Sequence, residues 1–161
     1  MTYFVSRLAL SDEHLQAIGL IAAEWSILEI TTEQMIMHFI AENWEKGRAI
    51  TVEMGAVSRI NAILALSKIE ALQGKISPDH LKKLESLCNR LDSLRAERNK
   101  IVHGYWISPT EIVKVTAKRE LSVSHKSATI QEMNQIATDI AKLREEIWAF
   151  MLDELESGYF V

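Results

Sequence analysis

At 161 residues the chain is long enough for one domain with a real core, and short for two. Its net charge of −4 argues against a strongly basic, sequence-reading nucleic-acid module, though not against an enzyme that touches RNA through a local basic patch. A single cysteine, Cys88, excludes a disulfide within the chain and argues against a cysteine metal site.

Nearly half the residues are apolar, and just two prolines and six glycines are available to interrupt long elements, which favours a mostly helical protein. The N-terminal run lacks a signal-peptide pattern, since Asp12 and Glu13 follow at once. No apolar run reaches the ~20 residues of a membrane span. A soluble cytoplasmic protein without membrane contact is expected.

Ser11, Asp12 and Glu13 read as a helix start, with a capping oxygen followed by early acids. The helix then runs to about Trp44. Ile18, Ala22, Trp25, Glu29, Thr32, Ile36 and Phe39 form its apolar stripe, widened by Ile21, Leu28 and Met35. Lys46, Gly47 and Arg48 read as a loop. A second helix is expected from near Thr51, with Val57, Ile60, Leu64 and Ala71 inward and Ile63 and Leu72 alongside. Gly74 is its expected C′ residue. Ser77 as N-cap and Pro78 as first helical residue start a third helix. Its seam is Leu84, Leu87, Leu91, Leu94 and Ile101, Cys88 is a small core residue beside it, and Gly104 can stop it.

A change of texture follows. Trp106 and Ile107, a turn at 108–110, and the run from Ile112 to Thr116 read as strand, turn and strand, with Leu121 to Val123 as a possible third short strand. His125 falls in a loop. Thr129 and Glu132 make a capping-box pattern for a last helix that carries Met133, Ile136, Ile140, Leu143, Ile147, Phe150 and Leu155 and ends near Gly158. The expected fold is all-α: a four-helix up-and-down bundle over residues 1–161, with a small β-hairpin inserted between the third and fourth helices.

The third helix raises a question at its end. Its seam steps by three and four residues, and the position before Ile101 in that rhythm is Arg98. A charge on a core stripe is costly unless paired. Glu29 interrupts the first helix's stripe in the same way, so a Glu29–Arg98 pair is a natural expectation. Asn99 and His103, four apart, share a face. Arg98 and His103, five apart, are about 140° around a helix at about 100° per residue, so they border one cleft at best, or cooperate across a two-fold axis. Arginine, asparagine and histidine together suit metal-free RNA cleavage: histidine moves a proton, arginine holds the phosphate, asparagine orients either. Tyr105 could stack on a base or bond to phosphate. A bland reading also fits, since histidine is favoured at a helix C-terminus by the macrodipole.

Arg98-Asn99-Lys100-Ile101-Val102-His103 resembles the motif of the HEPN superfamily, an arginine followed four to six residues later by histidine, with a polar residue after the arginine. Gly104 and Tyr105 extend it to the Arg-x4-His-x-Tyr form that is similar to HEPN toxins paired with minimal nucleotidyltransferases. The run from Trp25 to Glu29 also resembles the first helix of many HEPN-like proteins. The resemblance implies a small helical bundle acting as a metal-independent endoribonuclease, with its site formed where two motifs meet in a homodimer. It implies catalytic roles for Arg98 and His103, a supporting role for Asn99, and a site-lining Tyr105 that a nucleotidyltransferase-type antitoxin could modify. The strand-like stretch from 106 to 123 departs from the minimal bundle of that family.

Arg95, four residues before Asn99, is a possible phosphate contact in a locally basic third helix. No Glu-x-x-His pair or His-Glu-x-x-His occurs, and there is no phosphate loop or dinucleotide fingerprint, so neither metal nor cofactor is expected. Two other classes stay open: a catalytically silent HEPN-like bundle that binds RNA or a protein, and a helical adaptor with no ligand.

Overall fold

The computed structural model describes residues 10–40, 44–117 and 121–155. The fold is mostly helical, with a small antiparallel sheet. In chain order the elements are α1 (Asp12–Ile40), α2 (Trp44–Thr51), α3 (Ala56–Leu72), α4 (Pro78–Val102), β1 (Tyr105–Ser108), β2 (Glu111–Ala117), β3 (Leu121–Ser127) and α5 (Ile130–Phe150), which runs into a π turn at Met151–Leu155. Among the described residues five helices stand where four were expected, and the sheet has three strands in the order β1-β2-β3.

The additional helix forms because Gly47 does not break the chain. Lys46, Gly47 and Arg48 are helical, within α2. A Cβ on Gly47 would stand 2.6 Å from Met37 Cγ. The glycine therefore serves close packing of α2 on α1, not a reversal of the chain. The next helix accordingly begins at Ala56 and not near Thr51. Gly74 behaves as expected: its φ is +72°, and the amides of Gly74 and Lys75 reach back to the carbonyls of Ala71 and Glu70.

The other helix signals carry through. Ser77 Oγ accepts the His80 amide at 3.1 Å, with Pro78 at the first helical position. Thr129 and Glu132 form a reciprocal capping box. The expected end near Gly158 lies outside the described residues. His125 is in β3, opposite Val113, and not in a loop. Its segment, Ser124 to Ser127, carries little β propensity, so ladder pairing with β2 decides the matter.

The four long helices enclose one core. α1 packs against α5 and α3, and α4 closes the ring against α3 and α5. α1 contributes Ile21, Trp25, Leu28 and Met35; α3 Ile60 and Ile63; α4 Leu84, Leu87, Leu91 and Ile101; α5 Met133, Ile140, Leu143 and Ile147. α1's buried face centres on Ile21, Leu28 and Met35, which leaves Ile18, Ala22 and Glu29 on its flank. Val57 and Leu72, expected inward on α3, are exposed. The sheet joins the core through Ile112, which is fully buried.

Arg90 of α4 donates to both carboxylate oxygens of Glu146 on α5. Those hydrogen bonds hold the Glu146 carboxyl below the usual carboxylate range, against a smaller opposing effect of burial. A folded value below the unfolded one stabilises above the unfolded pKa, and the effect disappears as pH falls through the folded pKa. Both side chains are about half exposed, so the pair contributes less than ~1 kcal/mol. Glu146→Gln should lower the urea midpoint slightly at neutral pH and leave it unchanged in acid, below the folded pKa. Paired urea titrations at the two pH values test this.

Cys88 is buried, as its position beside the leucine seam implied. Burial, with Glu85 adding to it, pushes the thiol up to about 12. The nucleophilic thiolate is then scarce at neutral pH. The folded chain should resist a thiol reagent such as DTNB and react fully in guanidinium chloride. Rapid labelling of the folded chain would show that α4 opens locally.

Candidate functional site

The last turn of α4 carries the site. Arg98 stands in the leucine seam one turn before the buried Ile101, and its own side chain is half-buried. Its guanidinium carbon lies 5.9 Å from the ring centroid of Trp25, a residue of α1 that is 3% exposed. The indole face offers a cation favourable electrostatics without neutralising it.

Nη1 of Arg98 makes two hydrogen bonds. It donates to Asn99 Oδ1 at 2.9 Å and meets His103 Nε2 at 2.8 Å. Arginine can only donate, so Nε2 accepts. The imidazole in this arrangement is neutral, with its proton on Nδ1. Asn99 and His103 thus converge on one nitrogen of one arginine.

The five-residue spacing is bridged by the end of the helix. His103 is the C-cap, with φ −111° and ψ 3°, and its amide still reaches the Asn99 carbonyl at 3.1 Å. Leaving helical geometry brings the imidazole back towards Arg98, which an ideal helix would keep apart. Gly104 then lets β2 lie against the helix end. A Cβ there would overlap Ile112 Cγ2 and the Lys100 carbonyl oxygen. Trp106 is structural: its Nε1 donates to the Ile101 carbonyl at 3.1 Å, and its ring meets His14 edge-on at 6.1 Å.

Arg98 differs from other arginines in its partners. Arg59, Arg90, Arg95 and Arg144 each hold a carboxylate. Arg98 is held by an amide and an imidazole, both neutral. Its Nε is buried without a hydrogen-bond partner. A guanidinium set this way keeps its charge available to an incoming anion.

The expected Glu29–Arg98 pair does not form. Glu29 turns to Arg59 of α3, at 3.5 Å, and its side chain is 38% exposed on the flank of α1. Arg59 also binds Glu33 at 2.8 Å and the Thr51 carbonyl at 3.4 Å. The sequence reading missed Arg59 although a signal existed. Arg59, Ile63, Ser67 and Glu70 step by four, four and three, and all are buried. The charge that a core stripe must neutralise is on α3.

Arg95 bonds Asp92 at 2.8 Å and, with Trp25, Glu29, Arg98 and Asn99, lines a shallow depression of about 270 Å³. Residues 55–58, around the start of α3, form its remaining wall. Tyr105 does not line it; it stands on β1, 77% exposed. Among the described residues no group of three or more His, Cys, Asp or Glu side chains could hold a metal ion, and no helix is long and apolar enough to cross a membrane.

No protein-family model matches the chain, and comparison with curated proteins and with solved structures returned no match.

Proposed function

We propose that the protein is a metal-independent endoribonuclease of the HEPN type, with the four long helices as the family's bundle and the sheet as an insertion between its last two. The observation that carries this reading is the Arg98 guanidinium, joined to Asn99 and His103 through one nitrogen and, among the described residues, without a carboxylate partner. A phosphodiester takes the place of that carboxylate. Arg98 binds its non-bridging oxygens and stabilises the charge that builds as the 2′-oxygen attacks phosphorus. His103 accepts the 2′-hydroxyl proton once Arg98 turns to the phosphate and frees Nε2. The bond to the 5′-oxygen breaks, that oxygen takes a proton, and the products are a 2′,3′-cyclic phosphate and a 5′-hydroxyl. Asn99 keeps Arg98 in place throughout.

One chain supplies one histidine here, and the chemistry needs a proton acceptor and a proton donor. A homodimer that brings two such helix ends together supplies both. The family resemblance extends the proposal to a cytoplasmic toxin or defence effector restrained by a nucleotidyltransferase-type antitoxin, with the exposed Tyr105 as the residue that partner modifies.

The test is incubation of the purified chain with mixed cellular RNA in EDTA. Cleavage leaving 2′,3′-cyclic phosphate ends is the expected result. One observation favours a second reading. Nε2 of His103 is already engaged by Arg98, as suits an HEPN-like module that binds RNA or a protein without cutting. Strand binding with no cleavage by the unmodified dimer would decide for that module.

A further inference from the structure

The sheet between α4 and α5 takes no part in the Arg-Asn-His group, yet it starts two residues beyond His103. Two residues of extended chain place the Tyr105 Cα at most about 7 Å from that of His103. The inner face of the sheet carries Trp106 and Ile112, which join the core. Its outer face is open. Tyr105 and Ile107 of β1 are exposed there. The ladder sets Tyr105 opposite Val113, and Val113 opposite His125. Tyrosine, valine and histidine therefore form one row across three strands, on one face. Adjacent strands pair about 5 Å apart, so Tyr105 and His125 stand about 10 Å from each other. Their flat side chains rise from the sheet on either side of the smaller Val113. His125 is held in place by Glu111, whose carboxylate accepts from Nδ1 at 2.6 Å. That engages the carboxylate which this face carries among the described residues. Stacked bases rise by roughly 3.4 Å, so two rings this far apart leave space for one planar base between them.

We infer that the outer face of the sheet is a base seat, where an unpaired nucleobase stacks between Tyr105 and His125 over Val113. It rests on the ribonuclease reading in that the strand it seats is the RNA substrate. Arg98 and His103 act on phosphate and ribose, which are the same in every nucleotide, so they position a strand without reading it. The adjoining sheet supplies the contact to a base. A base inside a duplex has both faces covered and cannot enter, so the seat selects single-stranded RNA. Stacking on flat side chains tolerates every base, because each has a π face.

Two fluorescent strands of equal length, followed by anisotropy, separate base from phosphate. One is a deoxy-oligothymidylate, uncleavable because it lacks the 2′-hydroxyl. The other is its abasic counterpart, which keeps every phosphate and has no bases. Wild type should bind the thymidylate about tenfold or more tightly than the abasic strand, the scale of one stacked base. Tyr105→Phe keeps the ring and should stay within about twofold of wild type. Tyr105→Ser should lose about tenfold on the thymidylate and nothing on the abasic strand. The same is expected of His125→Ser, made together with Glu111→Gln so that no carboxylate is released. Tyr105 and His125 are exposed, so the melting temperatures should match wild type. Equal binding of the two strands by wild type overturns the seat, as does no binding of either, or unchanged thymidylate binding in folded Tyr105→Ser. A dimer that Ile107→Ser splits into monomers, with thymidylate binding unchanged, gives the face to a second copy and likewise overturns the seat. Metal-free RNA cleavage with an unchanged KM in Tyr105→Ser removes the seat and keeps the ribonuclease. Base-dependent binding that Tyr105→Ser abolishes, with no RNA cleavage by wild type, keeps the seat and removes the ribonuclease.

Discussion

His103→Ala should reduce metal-free RNA cleavage by about 10²–10⁴-fold, the usual contribution of a positioned general acid or base, and leave the melting temperature nearly unchanged. The side chain is exposed and its hydrogen bond to Arg98 lies at the surface, so removing it creates no cavity. Arg98→Lys should reduce cleavage by about 10²–10³-fold, the scale set by losing one donor to a developing charge. Lysine keeps the positive charge but cannot offer a planar edge to Asn99, His103 and phosphate together. Arg98→Ala removes in addition the stem that packs beside Trp25, so some loss of stability belongs to that variant. Comparing the lysine and alanine variants therefore separates chemistry from packing. Full activity in folded His103→Ala and Arg98→Lys would remove both residues from the site.

The second large effect concerns Arg59. Its side chain is 8% exposed, and it binds Glu33, itself 12% exposed, together with Glu29 and the Thr51 carbonyl. Arg59→Ala should destabilise the fold by about 3–5 kcal/mol, because a buried carboxylate is left without its partner. For a chain of this size that corresponds to a drop of roughly 6–20 °C in melting temperature. Most of it comes from Glu33, since the freed charge of Glu29 is screened by solvent. The double variant Arg59→Met, Glu33→Leu should recover most of the loss, because it removes charge and counter-charge together. Thermal melts of the three proteins check this. A double variant no more stable than Arg59→Ala would mean that the arginine acts through its bond to the end of α2 and not through charge pairing.

Most of the fold was legible because the signals were local and redundant. Ser77 with Pro78, Thr129 with Glu132, and Gly74 each specify a helix end by chemistry that needs no tertiary partner. What escaped depends on contacts between distant residues. Gly47 reads as a breaker until Met37 is seen to press against it. Arg59 heads a row with Ile63, Ser67 and Glu70 that the sequence does show, but its partners emerge only when α1 is seen to present Glu29 and Glu33. At the site, the interrupted seam identified Arg98, and the four-residue step joined Asn99 to His103. The link from Arg98 to His103 could not be read from helical spacing, because it depends on where the helix stops.

α1 and α5 are each other's most extensive helical partners, and they are the first and last long helices among the described residues. At about 5–20 residues per second, the 21 residues of α5 take roughly 1–4 s to synthesise. During that interval α1 and the Arg98–His103 turn already exist, but the face carrying Ile21, Leu28 and Met35 lacks its main cover. A nascent chain of this protein therefore presents a long apolar helix face while the residues of the proposed site are already written. The scaffold that holds α4 in place closes when translation has passed α5, so the geometry on which the proposed chemistry depends matures only after that helix is made.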